Sequence, residues 1–194
     1  DAEIRARGTL DPLHLEGEFD LDVADLLVTN APVHLKGATK MLDIPYAWAR
    51  GDLVLEKDHI RLVAPEIRGP GTRGEVDVDI GFKAFGPLDL KASVQADLSD
   101  FQPLGGVQLS GIGPISGRMH GPFNGLTFEG TGDVEQFSVL GIPFADRLEV
   151  PTLRSDLRSL ELLDARAHVG TSTYGGDYRI DFRSPMSMDT DLVV

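Results

Sequence analysis

The strict alternation of apolar and charged residues constrains this chain more than any other feature. In residues 74–82, Val76, Val78, Ile80 and Phe82 are separated by Asp77, Asp79 and Gly81. Successive side chains of a β-strand point to opposite faces, so this spacing predicts one apolar and one charged face. Residues 53–68 supply two earlier strands around a charged turn, and Gly69-Pro70-Gly71 breaks the chain before the third. The same order returns about a hundred residues later, over residues 160–182.

Other segments obey the same rule. In residues 13–23, Leu13, Leu15, Phe19, Leu21 and Val23 share one parity with Gly17, and His14, Glu16, Glu18, Asp20 and Asp22 share the other. In residues 88–98, Leu88, Leu90, Ala92, Val94 and Ala96 oppose Lys91, Ser93, Gln95 and Asp97. The 22 glycines and 12 prolines fall between apolar runs, as turn punctuation does in a β-rich protein. Residues 24–27 read as a bend or bulge, Asn30-Ala31-Pro32 as a turn, and 33–36 as a short strand ended by Gly37. Pro45 cannot donate a ladder hydrogen bond, so residues 41–50 read as an edge, a bulge or a loop. Residues 98–114 suggest a short helix at Leu98-Ser99-Asp100-Phe101 followed by an irregular Gly-rich connector. In residues 153–163 helical spacing (Leu153, Leu157, Leu160) competes with alternation (Leu160, Leu162).

An internal repeat favours the strand there. Residues 41–46 match 139–144 at an offset of 98, sharing Ile-Pro-aromatic. Residues 60–64 match 160–164 at 100, and 74–78 match 176–180 at 102. Upstream, residues 8–13 resemble 117–123, and the second copy lacks a hairpin that the first carries around 24–38. The expected organisation is a first β unit over 1–100, a Gly/Pro-rich connector over 101–116 and a second β unit over 117–194, forming one elongated domain. Repeats that cannot cover their own apolar faces stack into arrays.

Composition narrows the function. With 31 acids against 18 bases, the net charge of −13 repels phosphates and anionic headgroups, which argues against nucleic-acid binding and against flat docking on a membrane. The absence of cysteine removes disulfides and thiolate chemistry. No signal peptide is visible, and both ends read as cuts inside a longer chain. The longest uncharged stretch, residues 101–117, is too rich in Gly, Pro, Gln and Ser to span a bilayer.

Motifs for chemistry are sparse. His14, His34, His59, His120 and His168 stand singly, without metal-ligand spacing, so no metal site and no cofactor is expected. The runs Glu16/Glu18/Asp20/Asp22 and Glu75/Asp77/Asp79 read as the solvent faces of strands and lack the calcium-loop pattern. No G-x-S-x-G elbow occurs, and the Gly69–Gly74 loop lacks the Gly-Lys-Ser/Thr of a phosphate loop. No catalytic residue is assigned, and an enzyme is not expected. The apolar parity is the remaining candidate. Phe19, Leu21, Val23, Leu62, Val76, Val78, Ile80, Phe82, Leu90, Val94, Phe128, Leu160, Leu162, Tyr178, Ile180 and Phe182 are expected on one face. If a second sheet closes on that face it is a core; if the sheet rolls without closing it is a trough, with burial giving about 25 cal/mol per Å² either way.

The Gly-φ-Gly-Pro strand pattern of residues 117–134, Ile142-Pro143-Phe144, and the alternating residues 160–167 followed by Gly175-Gly176-Asp177-Tyr178 resemble the AsmA-like superfamily, particularly its TamB-type members. The likeness covers residues 7–182 through degenerate structural motifs. It implies an all-β, elongated, repeat-built antiparallel sheet rolled into an open, taco-shaped groove with little or no helix. It further implies a periplasmic bridge anchored in the inner membrane, shielding phospholipid acyl chains on their way between membranes. An outer-membrane assembly protein would be met through parts outside this chain. Two readings stand beside it: a spacer with a closed dry core (β-sandwich or β-solenoid), and a carbohydrate-active β-solenoid enzyme.

Overall fold

A computed structural model describes residues 1–29, 40–82, 86–101, 108–122, 125–156, 158–181 and 187–193. The chain is a single meander. Among the described residues, twelve antiparallel strands lie in sequence order within one open sheet. They are β1 (Ala2–Leu10), β2 (Leu13–Thr29), β3 (Lys40–Glu56), β4 (His59–Arg68), β5 (Arg73–Gly81), β6 (Pro87–Asp97), β7 (Leu109–Pro122), β8 (Thr127–Val139), β9 (Ile142–Ser155), β10 (Ser159–Val169), β11 (Ser172–Asp181) and β12 (Ser187–Val193). Leu98–Phe101 forms one 3-10 turn between β6 and β7.

The strands outrun several of the expected breaks. β2 continues through residues 24–27, although Asp25 takes φ 55° opposite Pro45. Pro45 sits inside β3, where the missing N–H is tolerated because β4 pairs with β3 only from Trp48 onward. The expected turn at 30–32 and strand at 33–36 lie outside the described residues. β7 begins at Leu109, so the chain resumes strand structure inside the Gly-rich stretch. Residues 153–163 are strand on both sides of a turn, as alternation predicts.

In an antiparallel pair, residues directly opposite share a face, so the registers trace rows across the sheet. One apolar row runs Gly17, Leu53, Leu62, Val78, Leu90, Met119, Phe128, Ser155, Leu160, Ile180. These rows also refine the repeat. Leu62 and Leu160 share a row, as do Ala64 and Leu162, so the β4 and β10 copies superpose at an offset of 98. Val76 and Tyr178 also share a row, which keeps the offset of 102 for β5 and β11. Bulges at Pro65-Glu66 and Leu163-Asp164 fall at matching places, and each returns the next residue, Ile67 or Ala165, to the apolar face.

The opposite face carries the charges. Across β7 to β12 one row alternates in sign: Arg118, Glu129, Arg154, Glu161, Arg179, Asp189. Forked Arg–Asp pairs join neighbouring strands at Arg61–Asp77 (3.0 and 2.8 Å), Arg118–Asp89 (2.6 and 2.6 Å) and Arg147–Asp133 (2.8 and 2.6 Å). Exposed pairs add little stability each. Their value is in register, because a slip of one residue would turn this ladder into the apolar side.

Candidate functional site

The apolar face differs between the two halves of the sheet, and side-chain volume explains the difference. Follow the row next to the one above. It runs Ile4, Phe19, Gly51, then Ala64, Val76, Ala92, Gly117, Gly130, and ends in Leu153, Leu162 and Tyr178. Small residues therefore floor the middle of the sheet, and large ones fill its C-terminal third.

The C-terminal half is closed. Leu148, Val150, Leu162, Ala165, Ala167 and Tyr178 pack with Leu109, Val134, Phe137 and Ala145 in one buried cluster. Two edge-on ring contacts show how. Phe144 lies 5.4 Å from the ring centre of Tyr178 and 5.8 Å from that of Phe137. Phe144 is near the start of β9, whereas Tyr178 sits in the row of Leu153, nine residues further along that strand. An extended strand would separate them by roughly 30 Å. The tip of the β8–β9 hairpin must therefore fold back over the apolar face. The left-handed Gln136 (φ 53°), just before Phe137, is where β8 turns. Leu98 of the 3-10 turn packs against the same cluster.

The N-terminal half is open. Among the described residues its buried cluster is Phe19, Leu53 and Ala64, and Ile44, Leu88 and Ala96 are buried outside that cluster. Over β4–β6 the floor is Ala64, Val76 and Ala92. Leu62, Val78 and Leu90 form one wall, and Ile67 and Val94 the other. All five wall residues are half-buried. The 3-10 turn after β6 docks on the β4–β5 turn, where the Gly71 amide donates to Asp100, and reaches back to β3, so it covers the Ile67–Val94 end of this face. Among the described residues no element other than that turn approaches β4–β6 from outside the sheet. Phe19 bounds this furrow on the β2 side. Phe128 bounds it on the β8 side, its ring lying so close to Gly117 that a Cβ there would come within 2.5 Å. Tyr46, the repeat equivalent of Phe144, is 39% exposed.

The expected residues divide accordingly. Phe19, Leu162, Tyr178 and Ile180 are buried. Leu21, Val23, Leu62, Val76, Val78, Ile80, Leu90, Val94, Phe128 and Leu160 are half-buried on the same face. Phe82 lies just past β5 and is 50% exposed. Phe182 is outside the described residues. Sequence reasoning selected large apolar side chains and so passed over the floor, Ala64 and Ala92, and the lid, Phe137 and Phe144. Alternation alone could have found the floor. The lid could not be found that way, because bulges put it out of phase.

The other face has two hollows. One, of about 600 Å³, is lined by Ser116, Thr131, Asp133, Arg147, Glu149 and Arg166 among others. The other, of about 890 Å³, lies beside Glu66, Arg68, Arg73, Glu75, Ser93 and Gln95. The first is edged by the Arg147–Asp133 pair across β8 and β9 and the second by Glu66 and Arg68, which pair within β4, and such charged edges suit water more than an apolar ligand. Near the second, Trp48 donates its indole N–H to Asp20 (2.9 Å), and the Arg68 guanidinium sits 5.0 Å over its ring.

Electrostatics follow the same division. Arg61, Arg118 and Arg147 hold the carboxyls of Asp77, Asp89 and Asp133 below the usual range. Burial pushes the Tyr178 phenol up. No helix among the described residues is long and apolar enough to cross a membrane. No protein-family model, curated protein or solved structure matches the chain.

Proposed function

We propose that this chain is a non-enzymatic lipid-handling segment whose furrow over β4–β6 shelters the acyl chain of a phospholipid. The observation that carries this reading is the half-buried wall Leu62, Val78, Leu90, Ile67 and Val94 around a floor of Ala64, Val76 and Ala92. A sheet that covers the equivalent face in its second half leaves this one to be covered by something else. Each methylene sheltered there gains about 0.8 kcal/mol, enough for a few carbons to outweigh the ordering of a flexible chain. Walls without charges give no hold on a headgroup, so selectivity rests on the width and apolarity of the furrow.

The likeness to AsmA-like proteins points the same way, to a periplasmic bridge that conducts phospholipid between membranes and contributes to outer-membrane biogenesis. On that reading, passage along the sheet is stopped at Phe128 and at the folded-back β8–β9 tip. Lipid would proceed past β8 only when that tip lifts from Tyr178. The spacer with a dry core draws support from the closed cluster around Tyr178 and Leu148.

Native mass spectrometry decides between them. Protein isolated without detergent is expected to carry phospholipid, and Val78→Asp, folded by circular dichroism, to lose it. Lipid-free protein throughout, or lipid retained by Val78→Asp, would sink the lipid reading.

A further inference from the structure

On the charged face, at the strand ends beside Phe82, the meander brings His14 next to three metal-binding groups that are neighbours in sequence. Glu56 ends β3, Asp58 stands in the following turn and His59 opens β4. One ligand atom from each lies within 4.8 Å of the others. His14, in β2, is the direct cross-strand partner of Glu56. Its Nδ1 is 3.2 Å from Glu56 Oε1, and its Nε2 is 3.1 Å from Glu16 Oε1. His59 Nδ1 is 3.0 Å from Asp58 Oδ1. The turn is anchored by the Phe82 amide, which donates to the Asp58 carbonyl at 2.8 Å.

We propose that Glu56, Asp58, His59 and His14 form a binding site for a divalent transition metal of the zinc class. Two imidazoles and two carboxylates are a donor set that zinc accepts and that calcium, which takes oxygen, does not favour. The spacing fits as well. Zinc–ligand bonds of about 2.0–2.1 Å in a tetrahedron put neighbouring donor atoms about 3.4 Å apart. The His14–Glu56 and His59–Asp58 contacts, at 3.2 and 3.0 Å, are already near that edge. The separations among Glu56, Asp58 and His59, up to 4.8 Å, close by rotation of partly exposed side chains, and His14 joins the group through its contact with Glu56. Each carboxylate that now faces a histidine would face the ion instead.

The local charge also invites a cation. Glu16, Glu56, Asp58 and Asp79 act on the two imidazoles. Against them stand Lys57 in the turn and Arg61, whose guanidinium is committed to Asp77. A bound ion would tie the ends of β2, β3 and β4 together on the charged face. The inference rests on these groups alone and holds whatever the furrow carries.

The test is isothermal titration of the whole chain, stripped with a chelator, with zinc chloride at neutral pH. The expected result is one zinc per chain, with affinity falling at least tenfold in His14→Gln and in His59→Gln. His168→Gln, on a distant strand, is expected to leave it unchanged. All three variants are checked for fold by circular dichroism. Calcium chloride is expected to bind at least a hundredfold more weakly than zinc. Zinc affinity that survives loss of both histidines, or matches that of calcium, overturns the proposal and leaves only a diffuse acidic patch.

Discussion

Replacing Leu90 with alanine and, separately, Leu148 with alanine asks whether the two halves of the apolar face are covered alike. The change is chemically the same in both: three carbons are removed. At about 0.8 kcal/mol per carbon the transfer loss for a fully buried leucine is about 2.4 kcal/mol. Leu148 is 2% exposed inside the closed cluster, so its removal also leaves a cavity, and the cost rises to about 3–4 kcal/mol. Leu90 is half-buried on the furrow wall, with solvent on one side. About half the transfer loss applies and no closed void forms, so the cost is about 1 kcal/mol. Urea unfolding followed by circular dichroism measures both, with an unchanged slope showing that the same surface unfolds in each variant. Equal costs for the two variants would refute the reasoning. The β4–β6 face would then be covered as fully as the β8–β11 face, and no furrow would exist to hold a ligand.

Two further outcomes follow from local geometry. Leu140 takes φ 54° and Gly141 φ 75° at the β8–β9 turn, a backbone suited to Asn-Gly, and Leu140 is 48% exposed. Leu140→Asn is expected to stabilise the chain by about 1 kcal/mol in the same urea assay, and a loss of stability would contradict that turn. Melting temperature against pH is expected to show two opposing slopes. Asp77, Asp89 and Asp133 have lowered values, so their contribution is complete above the ordinary carboxylate value of about 4 and is lost as pH falls through the lower folded values. His14 and His59 are raised, chiefly by hydrogen bonds to Glu16 and Asp58 respectively. Their contribution is complete below about pH 6.5 and is lost as pH rises through the raised values. In metal-free protein, the double variant His14→Gln/His59→Gln should flatten the upper slope alone; an unaltered upper slope would contradict the assignment.

Much of the sheet is legible in the sequence because strand alternation is a strong, local signal. Residues 13–23 and 74–82 announce their faces, and the registers confirm that Leu21, Val78 and Leu90 point the same way as Leu62. Legibility fails where the period breaks. The bulges at Pro65-Glu66 and Leu163-Asp164 reverse the parity, so Ile67 and Ala165 read as outward in sequence and turn inward in the fold. The fold-back of the β8–β9 tip depends on Phe144 reaching Tyr178, a long-range contact that no local pattern encodes. The question whether the face is open or closed therefore had no single answer at the level of sequence. Ala64, Val76 and Ala92 leave it open where Leu162 and Tyr178 close it. Glu56, Asp58 and His59 stand together in sequence, but His14 was illegible as their neighbour, because it meets Glu56 across 42 residues and only the meander brings them together.

The proposed function requires that an acyl chain cover the β4–β6 furrow. Photo-crosslinking measures this most directly. Benzoylphenylalanine placed at Val78 on the furrow wall, at Val63 on the opposite face of the neighbouring strand, and at Leu148 in the closed cluster would be irradiated with phospholipid vesicles. Phospholipid adducts are expected at position 78 and none at 63 or 148. Adducts absent from 78, or equally abundant at 63, would contradict the proposed function.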